Sequence, residues 1–349
     1  LSMASNEQEK NTVTAGQVDV GTAADLEAVM KKYDRESNVR IWEGTPKIVV
    51  SFLSAFFSVY CIYVTLFSNM MPEEKLNIFL GLILILGYLH YPIKKGISKV
   101  NHIPWYDIVI IVLGSFPFFY IALNAEPIIQ MATRVTRDPK MVAFAIISVL
   151  AAMELCRRCV GLPILCVVCS LLIYTFTKVR FGKVVYDLFY NTSGLTNTPI
   201  NVCSKYIVVF IIFGAFLERT GISTFFINLA NCAAGASAGG PAKVAVISSA
   251  LCGMVSGSSV GNTVTTGSIT IPMMKKTGYQ GEFAGAVEAA ASTGGQIMPP
   301  IMGAAAFLMA EYMGIPYSSV ALKAILPAVL YFTGIYIAVH LEAKKLGLR

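Results

Sequence analysis

The chain has 349 residues, of which 55% are hydrophobic and only 13% are charged. A soluble globular domain carries about 25% charged residues, so this composition excludes an ordinary soluble enzyme or binding module. The mean hydropathy of +0.65 and several apolar stretches of about 20 residues predict an all-α integral membrane protein with about eight transmembrane helices.

The charge balance favours a membrane location over binding to nucleic acid. There are 27 basic and 20 acidic residues, a surplus of +7. The basic residues, Arg40 and Arg158 among them, are scattered between the apolar stretches rather than clustered. This is typical of loops on the cytoplasmic side of a membrane. We expect the lipid bilayer as a partner and no nucleic acid.

The eight cysteines lie mostly in or beside apolar segments, which predicts buried free thiols. Cys156-Arg-Arg-Cys159 matches a C-x-x-C pattern, but it lacks a second pair or a nearby histidine. A zinc or redox centre there is therefore the weaker interpretation. We expect no cofactor.

In chain order, residues 1–46 read as a polar cytoplasmic tail without a cleavable signal peptide. Residues 178–203 are mixed and amphipathic, which suits an arm along the membrane surface, and 224–234 form a second short amphipathic piece. The predicted spans before the region that follows are 48–67, 76–93, 106–125, 141–155, 162–176 and 206–217.

Two polar, helix-breaking stretches then interrupt the apolar sequence, SGSSVGNTVTTGS at 256–268 and STGGQIMPP at 292–300. Such residues are tolerated at membrane depth only where they line a cavity or are buried in protein. Two breaks this close together predict a binding site made of backbone and small side chains.

The first break predicts a re-entrant helical hairpin that turns back at 256–262. Its arms, 242–255 and 263–274, are short, the first about 21 Å long against a hydrocarbon layer of roughly 30 Å. Lys243 precedes the first arm, and Lys275 and Lys276 follow the second, so a hairpin places all three on one side. A broken span at 282–312 and a last span at 320–341 follow. With eight spans in all, both termini lie on the same side of the membrane, and the distribution of basic residues favours the cytoplasmic side.

The chemistry of the hairpin tip suits a cation. Neutral oxygens hold an alkali ion without binding it too tightly, and Gly257 and Gly261 permit a tight turn. A helix that begins near Asn262 would also favour a carboxylate at its N-terminus. The four-residue spacing of Gly253, Gly257 and Gly261 has an alternative explanation as helix packing. The oxygen-bearing tip residues are Ser256, Ser258, Ser259, Asn262, Thr263, Thr265 and Thr266.

The second break contains two prolines, which lack the amide hydrogens that a helix needs. Because Pro299 and Pro300 have none, the carbonyls of Gly295 and Gln296 would lose their helical partners and could bind a cation. Gly294 adds flexibility. The alternative is a simple proline kink.

Two further assignments complete the predicted site. An alkali cation such as sodium is predicted to bind through Ser258, Asn262, Gly295 and Gln296. Glu288 is a possible proton or charge site, since a carboxylate within a membrane is a functional candidate by default. Alternatively, it lies near the inner surface and is solvated.

Enzyme motifs are weak in this chain. Gly235-Ala-Ser-Ala-Gly239 fits a G-x-S-x-G nucleophile pattern, which needs a strand–turn–helix setting. No Walker-type phosphate loop occurs in the sequence. We therefore predict that the protein is not an enzyme.

The central segments resemble a known family. The sequences GGPAKVAVISSALCGMVSGSSVGNTVTTGSITIPMMKKTGY (239–279) and FAGAVEAAASTGGQIMPPIMGAAAFLMAE (283–311) are similar to the tripartite ATP-independent periplasmic (TRAP) transporters. The resemblance is greatest to permeases in which the small and large membrane subunits are fused. FIIFGAFLERTGIS (210–223) and MELCRRCVGLP (153–163) match upstream, so that the likeness covers about 45–349.

This resemblance implies a permease of the bacterial or archaeal cytoplasmic membrane. The family imports organic acids, dicarboxylates among them, by symport with a cation, commonly sodium, although protons could replace it. A periplasmic solute-binding protein delivers the small organic anion. Two inverted repeats, each with a re-entrant hairpin, move in an elevator-like manner against a scaffold.

The resemblance also assigns domains. Residues 47–158 correspond to the small-subunit-like scaffold helices, 159–238 to scaffold helices and the arm of the large subunit, and 239–349 to the first transport repeat. The second repeat, with the other half of the site, is not in this sequence, as expected of a fragment or a truncation. The family's ion and substrate region falls on Ser256, Gly257, Ser258, Ser259 and Asn262, and its broken-helix partner on Gly294, Gly295, Gln296, Pro299 and Pro300.

Two alternative functions remain open from the residues alone. An ion-translocating channel could use the same half-helix chemistry, and a non-transporting membrane scaffold could be built from the same helices.

Overall fold

The computed structural model describes residues 39–93 and 101–348. Most of the predicted tail, 1–46, lies outside these residues. Every regular element in the described ranges is helical, which confirms the all-α prediction. The helices are α1 Thr45–Leu66, α2 Pro72–His90, α3 Trp105–Leu123, α4 Ala125–Met131, α5 Pro139–Cys159, α6 Leu162–Lys178, α7 Phe181–Val185, α8 Thr198–Arg219, α9 Ile222–Ala234, α10 Gly240–Ser256, α11 Ser259–Thr277, α12 Gly281–Gly295, α13 Ala304–Met313 and α14 Tyr317–Lys345.

The helices have the lengths and apolar character of an integral membrane protein. Within the described ranges, α1, α3, α5, α8 and α14 are long and apolar enough to cross a membrane, and α6, α9, α10 and α13 are apolar but shorter. The number of eight spans stays a prediction.

Most predicted spans match a helix to within a few residues, and the largest difference is in α8. This helix begins at Thr198 rather than 206, with Pro199 in its first turn. Proline is pre-organised for that position. A π-helical turn at Cys203–Ile207 interrupts its regular hydrogen bonding.

The chain divides into two compact units. We call residues 217–302 and 323–348 the hairpin unit, and residues 39–93, 101–216 and 303–322 the scaffold unit. The predicted domain boundaries stay a prediction.

The core of the scaffold unit is formed by α2, α3 and α5 together with the predicted surface arm. Tyr88 is fully buried, and its hydroxyl donates to the Ala151 carbonyl oxygen at 2.7 Å. In the arm, α7 and the π-helical turn Tyr186–Tyr190 direct Phe189 inward, where its ring lies 5.3 Å from that of Phe118. One face of this amphipathic segment therefore packs on protein.

A buried ion-pair network holds one end of the scaffold bundle. Asp107 is fully buried and accepts hydrogen bonds from Arg158 Nη2 at 2.7 Å and from Arg40 Nη2. The Arg158 guanidinium also lies 4.6 Å from the centre of the Tyr88 ring. Arg40 and Arg158, which the sequence suggested as loop charges, are thus buried partners of one carboxylate.

An aromatic cluster joins α13 and α14 to α8 inside the scaffold unit. The rings of Phe307 and Tyr317 stack 4.3 Å apart and 3° from parallel. Phe210 of α8 lies 5.1 Å from Phe307. The chain after the second break is therefore anchored by ring stacking.

In the hairpin unit, α10 and α11 form an antiparallel pair connected by Gly257 and Ser258. Near the turn, Ser249 Oγ lies 3.0 Å from Thr266 Oγ1. Farther away, Ala242, Val246 and Met274 share one buried cluster with α12 and α14, so the two arms run in opposite directions. The depth of this hairpin in a membrane stays a prediction.

The return arm is longer than expected. Helix α11 has 19 residues, about 28 Å at 1.5 Å per residue, because it begins at a capping serine well before residue 263. The expectation that this arm is much shorter than the hydrocarbon layer was wrong. The hairpin assignment therefore rests on the antiparallel arrangement of α10 and α11 and not on their lengths.

Candidate functional site

The turn of the hairpin is made by one glycine and one serine. Gly257 has φ +61°, in the left-handed region that favours glycine. A Cβ there would also lie 3.1 Å from the Met302 carbonyl oxygen. Ser258 then caps α11, since its Oγ accepts a hydrogen bond from the Gly261 amide at 3.2 Å.

The two sequence breaks meet at a pair of glycines. A Cβ built on Gly253 would lie 2.3 Å from Gly295 Cα, and one built on Gly295 would lie 2.7 Å from Gly253 Cα. Helices α10 and α12 therefore cross backbone to backbone. Packing of small residues, the alternative considered for Gly253, is thus present at the same place as the candidate site.

Two hydrogen bonds connect the hairpin to the second break. Gln296 Nε2 donates to Ser259 Oγ at 2.9 Å, and the Ile301 amide donates to the Met254 carbonyl oxygen at 3.2 Å. The tip and the segment that follows α12 are therefore one local structure.

Asn262 holds a buried oxygen that has no partner. Its side chain is 1% exposed, and Nδ2 donates to the Ser249 carbonyl oxygen at 2.8 Å. This bond identifies the other atom as Oδ1, because a carbonyl can only accept. Within the described residues, Oδ1 has no hydrogen-bond donor. Buried polar atoms are almost always paired, so this atom is suited to an ion.

Glu288 of α12 is fully buried and surrounded by hydroxyl groups. Oε1 accepts from Ser249 at 2.7 Å, from Ser292 at 3.1 Å and from Thr266. Oε2 accepts from Thr270 at 2.5 Å. The alternative of a solvated surface carboxylate is therefore wrong for this unit.

None of the four hydroxyl residues was predicted as a partner of Glu288, and Ser249, Thr270 and Ser292 were not among the predicted site residues. The signal available was helical spacing. Thr266 and Thr270 lie one turn apart on α11, as do Glu288 and Ser292 on α12, so each pair shares one helix face. Ser249 carries no such signal, because only the hairpin fold places it opposite Glu288.

The remaining hydroxyls of the tip are bonded locally. Thr263 Oγ1 donates to the Ser259 carbonyl oxygen at 2.8 Å, and Ser256 Oγ lies 3.4 Å from the Ser258 carbonyl oxygen. Thr265 Oγ1 lies 2.9 Å from Glu218 Oε1. These side chains are near the site, but their hydrogens have partners within the chain.

The four predicted sodium residues divide into two pairs. Asn262 and Gly295 are adjacent, since a Cβ on Gly295 would lie 3.4 Å from Asn262 Nδ2. Ser258 and Gln296 are near each other through Ser259, and Gln296 is exposed. The structure therefore brings Asn262 and Gly295 together in the buried part of the site.

The second break frees fewer carbonyls than expected. The chain turns tightly after α12, and the Met298 amide donates to the Gly295 carbonyl oxygen at 3.2 Å. The prediction that this carbonyl lacks a partner was wrong, because an amide three residues ahead replaces the one that proline removes. Gly294 packs against Tyr331, whose ring atom Cε1 would lie 2.4 Å from an added Cβ. Pro299 and Pro300 follow in the irregular segment between α12 and α13.

The open end of the hairpin contains the predicted lysines. Lys243 is only 4% exposed, its Nζ donates to Ser237 Oγ at 3.2 Å, and it lies 5.3 Å from the centre of the Tyr336 ring. Lys276 is exposed at the end of α11. Tyr279 closes this end, and burial raises the pKa of its phenol.

The enzyme motifs have no supporting geometry in the described part of the chain. Ser237 of the G-x-S-x-G sequence lies in a turn between two helices, with its hydroxyl donating to the Ala234 carbonyl oxygen at 2.7 Å. In the C-x-x-C sequence, Arg157 and Arg158 both bond Glu154. Among residues 39–93 and 101–348, no group of three or more His, Cys, Asp or Glu side chains could hold a metal ion.

Several curated proteins similar to this chain are named as permease components. It is 32% identical over 128 residues to the C4-dicarboxylate TRAP transporter large permease protein DctM of Rhodobacter capsulatus, covering 37% of this chain and 28% of that one. It is 30% identical over 139 residues to a putative TRAP transporter large permease protein of Haemophilus influenzae, covering 40% and 32%. It is 36% identical over 91 residues to the isethionate TRAP transporter permease protein DctMQ of Oleidesulfovibrio alaskensis, covering 26% and 14%.

The chain thus spans about a third or less of the length of these relatives. The model of the family described as tripartite ATP-independent periplasmic transporter, DctM component, matches residues 147–349, more than half of the chain. The proteins of this family are transporters and not enzymes, as expected from the sequence. The chain belongs to the DctM component family of the tripartite ATP-independent periplasmic transporters.

Proposed function

We propose that this chain acts as part of a permease that imports an organic acid by symport with sodium. A periplasmic solute-binding protein delivers the acid, and both ends of the described chain face the cytoplasm. The proposal rests first on the buried, unpartnered Oδ1 of Asn262.

The setting of Asn262 supports an alkali cation as the ligand. Its Oδ1 is a neutral oxygen held in a fixed direction, since Nδ2 is bonded to the Ser249 carbonyl. Close by, the backbones of Gly253 and Gly295 are in direct contact. Neutral oxygens from side chains and irregular backbone are the ligands that coordinate sodium in secondary transporters.

The names of relatives support an organic anion as the cargo. The Rhodobacter capsulatus protein is named for C4-dicarboxylates and the Oleidesulfovibrio alaskensis protein for isethionate, and both cargoes are small organic anions. Helix α11 begins at Ser259, in the hairpin tip. The partial positive charge at a helix N-terminus favours a bound anion there. We infer that the acid binds beside the tip, next to the cation.

An elevator movement is proposed for the hairpin unit. This unit is compact in itself, with α10, α11, α12 and α14 sharing one buried cluster. A body of this kind can move as a whole without breaking the cation site.

The test is uptake by full-length permease reconstituted into liposomes with its solute-binding protein. We expect Asn262→Ala and Ser258→Ala to abolish the sodium-stimulated uptake of a radiolabelled organic acid. Ser268→Ala is the matched control, because Ser268 lies on the same helix, is exposed and bonds only the Thr265 carbonyl oxygen, at 3.1 Å. Uptake that keeps its sodium dependence in Asn262→Ala would show that the site assignment is wrong, and single-channel currents would favour a channel.

A further inference from the structure

The buried carboxylate of Glu288 is not needed for the cation ligands proposed above, yet it is among the most enclosed side chains of the hairpin unit. It is fully buried, and hydroxyls from three helices point at it: Ser249 of α10, Thr266 and Thr270 of α11, and Ser292 of α12. An ionised carboxylate only accepts hydrogen bonds, whereas each hydroxyl has one hydrogen to donate. Ser249 and Ser292 can therefore donate to an ionised carboxylate, and Thr266 and Thr270 can do so in place of their bonds to the Asn262 and Thr266 backbone carbonyls.

No basic side chain neutralises this charge. Within the described residues, no ion pair includes Glu288. On α10, Lys243 is bonded to Ser237 and lies over Tyr336 of α14, and Cys252 is the other titratable group. On α11, Lys275 lies beside Gly281, about 10 Å along α12 from Glu288, and Lys276 is exposed. The other titratable groups on the facing helices are Glu282 of α12 and Tyr317, Lys323, Tyr331, His340, Glu342, Lys344 and Lys345 of α14.

A buried charge without a counter-charge is costly, and proteins normally pair it or bind an ion to it. An ionised Glu288 would carry that cost, because the side chains that bond it, Ser249, Thr266, Thr270 and Ser292, are all neutral. A cation bound nearby would offset it.

Two contacts connect Glu288 to the unpartnered oxygen of Asn262. Ser249 donates its hydroxyl to Glu288 and accepts Asn262 Nδ2 at its carbonyl oxygen, 2.8 Å away. Thr266 bonds Glu288, and its hydroxyl also lies 2.8 Å from the backbone carbonyl oxygen of Asn262. The carboxylate therefore contacts Ser249, whose backbone orients the Asn262 amide, and Thr266, which lies one turn along the same helix, and Oδ1 is the atom left free.

We propose that Glu288 is the counter-charge and positioning residue of the cation site. The cation at Asn262 Oδ1 neutralises the Glu288 carboxylate, and the Ser249 and Thr266 hydroxyls keep the two charges in fixed relation. Glu288 thus attracts the cation electrostatically, while neutral oxygens such as Asn262 Oδ1 contact the ion directly. This inference rests on the proposed function, because it assumes that a cation binds at Asn262.

Equilibrium binding of radioactive sodium to the purified full-length permease in lipid nanodiscs tests this proposal, with no transport assay involved. Glu288→Gln removes the charge and keeps the shape. We expect its sodium Kd to rise about tenfold or more, as loss of a nearby opposite charge implies. Glu282→Gln is the matched control, because Glu282 lies in the exposed first turn of the same helix, and its sodium Kd should stay unchanged.

Thermal unfolding separates the charge from a merely structural role. Without sodium, Glu288→Gln should be as stable as the unsubstituted permease or more so, because an unneutralised charge is gone. Glu288→Asp keeps the charge, so its sodium binding should exceed that of Glu288→Gln even if its packing is worse.

Three results would overturn the inference. Sodium binding by Glu288→Gln equal to that of the unsubstituted permease would remove Glu288 from the cation site. Sodium-free stability that falls in Glu288→Gln, with Glu288→Asp binding no better, would show a structural role only. A permease that binds no sodium before any substitution would contradict the proposed function as well, which distinguishes the two failures.

Discussion

Gly253 and Gly295 touch through their backbones, and a Cβ on the first would lie 2.3 Å from the Cα of the second. They are the points at which α10 of the hairpin and α12 before the second break approach most closely. Asn262 lies against the same contact, with Nδ2 3.4 Å from a Cβ built on Gly295. Close helix approach and the candidate cation site therefore share one location.

We expect Gly253→Ala to destabilise the hairpin unit by about 1–3 kcal/mol, because the new methyl group meets backbone that cannot move aside. The measurement is thermal unfolding of the full-length permease in nanodiscs. Gly285→Ala is the control on α12, where nothing lies within 4 Å of an added Cβ, and helix propensity should there stabilise by up to about 1 kcal/mol. Equal effects of both substitutions would contradict the close crossing.

The buried network of the scaffold unit predicts a large effect of Asp107→Ala. This change leaves the guanidinium groups of Arg40 and Arg158 buried without their shared carboxylate, which should cost about 3–5 kcal/mol. Glu342→Gln is the comparison, since its pairing with Lys345 at 3.2 Å is exposed and is worth about 0–1 kcal/mol. Thermal unfolding of both variants measures the two losses of stability. A loss of stability for Asp107→Ala as small as that for Glu342→Gln would argue against the network.

Ser258 is predicted to stabilise the hairpin tip by capping α11. This role is separate from its proposed part in cation binding. Ser258→Ala removes the acceptor for the Gly261 amide and should cost about 1 kcal/mol, whereas Ser258→Asn keeps a capping side chain and should cost little. Hydrogen exchange of the amides at the start of α11 reports this directly. Similar exchange rates in both variants would exclude the capping role.

Stacking of Phe307 on Tyr317 should anchor the chain after the second break. Phe307→Leu keeps an apolar side chain of similar size but loses the stacked ring, and we expect a loss of about 0.5–1.5 kcal/mol beyond the change in buried area. Thermal unfolding of Phe307→Leu, compared with Phe181→Leu at an exposed stacked ring, measures the difference. A loss no greater than that of Phe181→Leu would contradict the anchoring role.

The two breaks in the helices were predictable from the sequence because glycine, proline and hydroxyl residues are conspicuous in an apolar chain. Glycine is the residue type that readily adopts a positive φ, and serine is a common N-cap. Both properties explain why Gly257 and Ser258 form the turn. The start of α11 was placed too late because Val260 is the only apolar residue in the polar, glycine-containing stretch 256–262, although Ser258 already fits an N-cap.

Long-range partners could not be predicted in this way. Asp107 meets Arg40 and Arg158 from distant parts of the chain, and nothing in their local sequence distinguishes them from loop charges. The burial of Glu288 has the same cause, since its cage depends on the antiparallel register of α10 and α11, which places Ser249 beside Thr266.

Cysteine labelling tests most directly whether the chain doubles back within the membrane. Ala236 precedes α10 and Lys276 lies near the end of α11, and both are exposed. With each changed singly to cysteine in a permease free of other cysteines, we expect a membrane-impermeant maleimide to label both positions from the cytoplasmic side only. Labelling of positions 236 and 276 from opposite sides would contradict the hairpin, and with it the proposed cation site.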